Sequence, residues 1–163
     1  MAQPPDPALA ALRVDITSVT VVFPTYPASP RSASAFGYLL EASTDSAFRA
    51  LASSSRTANI ALSTLTVAGL NEYATHYLRL ASLNEIGGAN FTLLGSTLTR
   101  SLFVAPGTAP LSGILASSGL ANWTPGGNPS GARYTVEASA ASDFTGTALS
   151  SQTYNQNAAF STL

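Results

Sequence analysis

Cysteine is absent from the sequence, and with it disulfides, thiolate metal sites and a cysteine nucleophile. Lysine is absent as well. The seven basic residues are all arginine, scattered at Arg13, Arg31, Arg49, Arg56, Arg79, Arg100 and Arg133. Charged residues make up 9% of the chain, against about a quarter in an ordinary globular protein. With a net charge of -1, no basic footprint exists for nucleic acid or an anionic membrane. No apolar run approaches the ~18 residues of a membrane-spanning helix, so membrane insertion is not expected. Three prolines and an aspartate precede the first apolar stretch, so the segment from Met1 to Asp15 does not read as a signal peptide.

Alanine, serine and threonine occupy the place that lysine and glutamate usually fill. A surface so poor in charge gives little repulsion between copies. That suits an assembling protein, and it equally suits the Ser/Thr-rich surfaces of extracellular β-proteins. Short apolar stretches rich in Val, Leu, Tyr, Phe and Thr recur about every ten residues, separated by Pro, Gly, Asn and Ser. This rhythm predicts an all-β sandwich or barrel. Alternation predicts strands at 12–16, 18–23, 37–43, 57–67, 76–83 and 91–100, with a turn at 84–88 whose glycines are free to take positive φ. In 37–43, Tyr38, Leu40 and Ala42 share one face.

Residues 1–8 read as a Pro-rich linker, and 102–110 (LFVAPGTAP) as a Pro/Gly linker between domains. After it the pattern restarts. Tyr38-Leu39-Leu40-Glu41-Ala42-Ser43 matches Tyr134-Thr135-Val136-Glu137-Ala138-Ser139, an offset of 96 residues. Phe48 matches Phe144, and Ser63-Thr64-Leu65 matches Ser161-Thr162-Leu163 at an offset of 98. A period of this size is one immunoglobulin-sized sandwich and not a solenoid turn.

The block from Leu65 to Leu70 followed by His76-Tyr-Leu-Arg-Leu-Ala-Ser-Leu-Asn84-Glu-Ile-Gly87 resembles the E–F strand region of fibronectin type III domains. Ala121-Asn122-Trp123-Thr124-Pro125 resembles the family's strand-B tryptophan, with Phe23 at that position in the first copy. The resemblance implies an immunoglobulin-like antiparallel β-sandwich, complete over 9–101 and partial over 111–163. His76 stands where the family places a corner tyrosine. Either its imidazole makes the hydrogen bond of the phenol, or a one-residue slip restores Tyr77 to the corner. In the second copy the counterparts of 66–101 are missing from the sequence. Leu120, Trp123, Tyr134, Val136, Phe144 and Phe160 would then lack an opposing sheet. Three explanations are open: a segment of a longer array, completion by a strand from another chain, or packing onto the first domain.

Catalytic arrangements fail in turn. His76 has no G-x-S-x-G elbow beside it. Glu41 and Glu137, being equivalent in separate domains, read as solvent-facing strand residues and not as a paired acid and base. The glycine-rich run 126–131 lies between strands and not before a helix, so it is no phosphate cradle. Asp45 and Asp143 are isolated loop acids, too few for calcium. Two glycosylation triplets occur, at Asn90 and at Asn122, the second in an expected core strand. No catalytic residue, cofactor or metal ligand is therefore expected. Tyr26, Tyr73, Tyr77 and Tyr154, in loops or outward positions, are the candidate surface-binding aromatics. The expected role is a non-catalytic module of a tandem-repeat protein, extracellular or on a bacterial cell surface: spacer, adhesin or filament subunit. The alternative is an accessory domain of a carbohydrate-active enzyme. Expected partners are protein, by strand addition at the incomplete repeat, or carbohydrate.

Overall fold

The computed structural model describes residues 8–154 and the backbone of 160–162; residues 1–7, assigned above to a linker, lie outside the described residues. Two compact units divide the chain, 1–100 and 101–163.

Among the described residues, unit 1 contains seven strands: β1 (Ala11–Val14), β2 (Ser18–Val22), β3 (Gly37–Ser43), β4 (Ser53–Thr57), β5 (Thr64–Ala68), β6 (Thr75–Leu83) and β7 (Ala89–Leu98). They form two antiparallel sheets, ordered β1-β2-β5 and β4-β3-β6-β7. Period-two alternation explains the core between them. Val19, Val21, Leu65 and Val67 come from the first sheet, and Tyr38, Leu40, Ala42, Leu78 and Leu80 from the second; Phe23 and Leu70 pack into the same cluster.

β3 and the β6–β7 turn fall where alternation places them. Two segments differ. The expected strand 57–67 is instead the end of β4, a loop over 58–63, and β5. β4 itself (SSSRT) carries no apolar residue, because an edge strand held by backbone pairing to β3 needs none. Gly37 opens β3 because the Thr57 carbonyl oxygen lies where a Cβ would stand.

Unit 2 contains β8 (Ala105–Ser112), β9 (Leu120–Thr124), β10 (Tyr134–Ser139), β11 (Ala148–Thr153) and β12 (Phe160–Thr162). The stretch 102–110, read as a linker, thus lies mostly in strand β8. Its Pro106 and Pro110 are tolerated because β8 is an edge, paired only to β9 and out of register between Pro106 and Leu111. The sheets are ordered β12-β9-β8 and β10-β11. Strand for strand, this is the order of β5-β2-β1 and β3-β4. The register also repeats: Tyr38 faces Thr57 and Glu41 faces Ser54, while Tyr134 faces Thr153 and Glu137 faces Ser150. One edge of β3 is covered by β6; among the described residues, the same edge of β10 has no partner.

Candidate functional site

His76 is fully buried, and its Nε2 lies 3.3 Å from the Asn71 carbonyl oxygen, to which it donates in the tautomer with Nε2 protonated. The Thr99 hydroxyl donates to the same carbonyl at 2.6 Å, so one backbone acceptor ties the β5–β6 connection to both β6 and the end of β7. His76 therefore holds the inward corner, and Tyr77 is half-buried on the opposite face of β6.

That opposite face carries a polar cluster. The Arg79 Nε and Nη2 groups both donate to Glu41 Oε2 at 2.7 Å. The guanidinium carbon lies 4.0 Å from the Phe91 ring centroid and 4.4 Å from that of Phe48, so the cation stacks between two rings. Glu41 is consequently buried, at 8% exposure, and not solvent-facing as expected from its place on the outer side of β3. Alternation correctly gave its face; it could not show that an arginine and a phenylalanine cover that face. Phe48 reaches the guanidinium from a turn with φ 54°, a left-handed conformation unusual for an aromatic residue.

In unit 2 the matching residues are bare. Glu137 is exposed, and Phe144 is 55% exposed although its φ of 57° repeats that of Phe48. Phe144 thus does not join the inward set with Leu120, Trp123, Tyr134 and Val136, as the sequence reading had it; its turn aims it elsewhere. The side chain of Phe160 lies outside the described residues. Inside unit 2, Trp123 packs on Tyr134 at 5.7 Å between centroids, as Phe23 packs on Tyr38 at 4.7 Å. Tyr38 is satisfied: its hydroxyl accepts from the Tyr26 amide and donates to the Ile60 carbonyl. The Tyr134 hydroxyl and the Trp123 Nε1–H are buried with no partner. Both side chains line an open cavity of about 480 Å³ together with Leu102, Phe103, Ala132 and Val136. Asn128 braces this cavity: its Oδ1 accepts from the Leu102 amide and its Nδ2 donates to the Leu102 and Pro125 carbonyls. Sequence reasoning saw only a glycine-rich loop there, and the Asn-Pro in it was the available signal.

The three candidate tyrosines of unit 1 do not form one strip. Tyr26 is half-buried, stacked on Tyr38 at 5.9 Å. Tyr73, with φ 44°, lies just before β6. Tyr26 stacks on Tyr38, which pairs with Ser82 near the end of β6, whereas Tyr73 precedes the start of β6. Tyr77 is nearer the Tyr73 end. Tyr154, in unit 2, is 63% exposed.

The two loop acids are occupied locally. Asp45 accepts from the Ala47 amide, and Asp143 accepts from the hydroxyl and the amide of Thr145. The Thr145 hydroxyl, then its amide, hold the Asp143 carboxyl below the ordinary aspartate range. Among the described residues no three His, Cys, Asp or Glu side chains gather as a metal site. At Asn122 the side-chain amide donates to the Ala109 carbonyl and the Ser112 hydroxyl, so this glycosylation triplet is engaged within the sheet. No helix among the described residues is long and apolar enough to cross a membrane.

No family model matches the sequence, and no curated protein does. Solved structures similar to it include the FN5 domain of Drosophila Lar, at 19% identity over 60% of this chain and 98% of that one (TM-score 0.43). A fibronectin type III domain of human fibronectin type III domain containing protein 3 matches at 17% identity over 62% and 90% (TM-score 0.48). A two-domain fibronectin type III segment of chicken tenascin matches at 13% identity over 99% and 82% (TM-score 0.47). Independently of these, a three-stranded sheet facing a four-stranded one in the order β1-β2-β5 and β4-β3-β6-β7 defines the architecture of unit 1. Its fold is the antiparallel β-sandwich of the fibronectin type III kind.

Proposed function

We propose that this chain is a non-catalytic structural and interaction module from a tandem series of such sandwiches, in a secreted or cell-surface protein. The repeated register carries the reading: β3–β4 and β10–β11 pair residue for residue at a constant offset. Repetition of a whole sandwich is how extended, spacing proteins are built. A weakly charged surface with no basic patch fits a role in which the module holds position rather than concentrating a charged ligand.

Two measurements test this. The complete coding sequence should contain further copies at the same spacing, and a glycan array probed with the chain should be blank. An adjoining hydrolase together with saturable polysaccharide binding would replace the reading by the accessory one, in which Tyr154 is the most exposed of the candidate aromatics. Fractionation of the source cells, with the protein found only in the cytosol, would overturn the surface assignment.

A further inference from the structure

We infer that the exit of unit 1 is a clasp against force, in which Thr99 and Arg100 hold strand β7 against withdrawal along its own axis. The inference rests on the module reading, because a module in a series carries tension through its two termini, and it adds how this one meets that tension. Three segments gather at the exit: the β1–β2 turn, the β5–β6 connection and the end of β7. Each is hydrogen-bonded to both of the others. The Leu70 amide donates to the Thr17 carbonyl at 3.0 Å, joining connection to turn. The Arg100 amide donates to the Asp15 carbonyl at 3.0 Å, joining exit to turn. The Tyr73 amide donates to the Arg100 carbonyl at 3.2 Å, and the Thr99 amide to the Ala74 carbonyl at 3.0 Å, joining connection to exit.

The Thr99 hydroxyl closes this ring a second time. It donates to the Asn71 carbonyl at 2.6 Å and accepts from the Ala74 amide at 3.0 Å. Thr99 is buried, so water competes poorly for these bonds. The ring also joins the two sheets, since the turn belongs to β1-β2-β5 and the exit to β4-β3-β6-β7. Its orientation decides what it resists. Asp15 follows β1 and Arg100 follows β7, so their bond sets the ends of these two strands side by side, both running toward the ring. Tension on β1 therefore draws away from the ring, and tension on β7 draws out through it. β7 then slides along β6, loading their antiparallel ladder lengthwise rather than opening it pair by pair. The ring bonds are the first that such a pull reaches, and they anchor β7 to the opposite sheet, which the ladder with β6 does not.

Single-molecule pulling on the full chain tests this, and the lack of native cysteine lets introduced thiols take the handles at chosen points. Handles at Ala8→Cys and Ser101→Cys draw β7 out through the ring. Handles at Ala8→Cys and Ile86→Cys, the latter exposed in the β6–β7 turn, leave β7 outside the pulled segment. Thr99→Val keeps the shape and removes the hydroxyl. Under constant force it should speed unfolding about tenfold or more in the first geometry, and by less than about twofold in the second. Thr99→Ser, which keeps the hydroxyl, should behave as the unmodified chain in both. Equal acceleration in the two geometries would make Thr99 an ordinary contributor to stability and overturn the inference, as would no acceleration in either. If Thr99→Val does not fold, Arg100→Pro, which removes the amide that reaches Asp15, carries the same expectation and the same overturning results. The coding-sequence and fractionation results decide the module reading on their own, and a failed pulling test leaves them untouched.

Discussion

At the residue scale, the chain manages with few charges by burying the ones that matter. Arg79 neutralises Glu41 under two rings, and removing either partner leaves the other poorly solvated. Arg79→Ala should destabilise unit 1 by about 2 kcal/mol, somewhat below the ~3–5 of a fully buried pair because the arginine is partly exposed. Urea unfolding measures it, and the double change Arg79→Met with Glu41→Gln should recover part of the loss. Asp143 gives a second expectation. Its carboxyl is held low by Thr145, so the charged form is favoured in the folded loop. Whatever stability this gives is present at neutral pH and is lost as the pH falls through the depressed folded-state value. Thr145→Val should move the Asp143 titration, followed by NMR, back up toward ordinary aspartate.

At the scale of elements, most strands of unit 1 were legible, the edge strands β1 and β7 included, whereas β4 and β8 were not. β3 and β6 place Tyr38, Leu40, Ala42, Leu78 and Leu80 at every second position on the core face, and their boundaries follow from that period. β4 is a run of serines whose pairing comes from the backbone alone, and β8 is broken by prolines that only an edge tolerates. Neither carries the apolar period that identifies a strand. The arginine–phenylalanine cluster was hidden for a different reason. Its four members come from three strands and a turn, and only register brings them together. The repeated Phe48 and Phe144 were its one trace in the sequence. Register also predicts the weakest substitution point of the β3–β4 pair. Gly37→Ala drives a methyl group into the Thr57 carbonyl and should cost about 1–3 kcal/mol, with loss of amide protection first along β4.

At the scale of the whole molecule, the two units differ in how far their cores are closed. Unit 1 buries both inner faces of its two facing sheets around one apolar cluster, whereas unit 2 keeps an open cavity beside Trp123 and Tyr134. Small domains without disulfides or metals have little stability to spare. Thermal unfolding should therefore be biphasic. Trp123 fluorescence should report the lower transition alone, and far-ultraviolet circular dichroism both. A single coincident transition by the two probes would show the units to be one cooperative body.

The turn at Phe144 has a bearing on the order in which such a sandwich assembles. Its backbone matches that of Phe48 without any guanidinium to hold it, so the hairpin dictates its own bend from local sequence. Contacts close in sequence form before distant ones. The hairpin with its raised ring and acid would then be complete early, and the arginine strand would arrive at a berth already shaped, so that a substitution in the turn slows docking more than it loosens the finished domain.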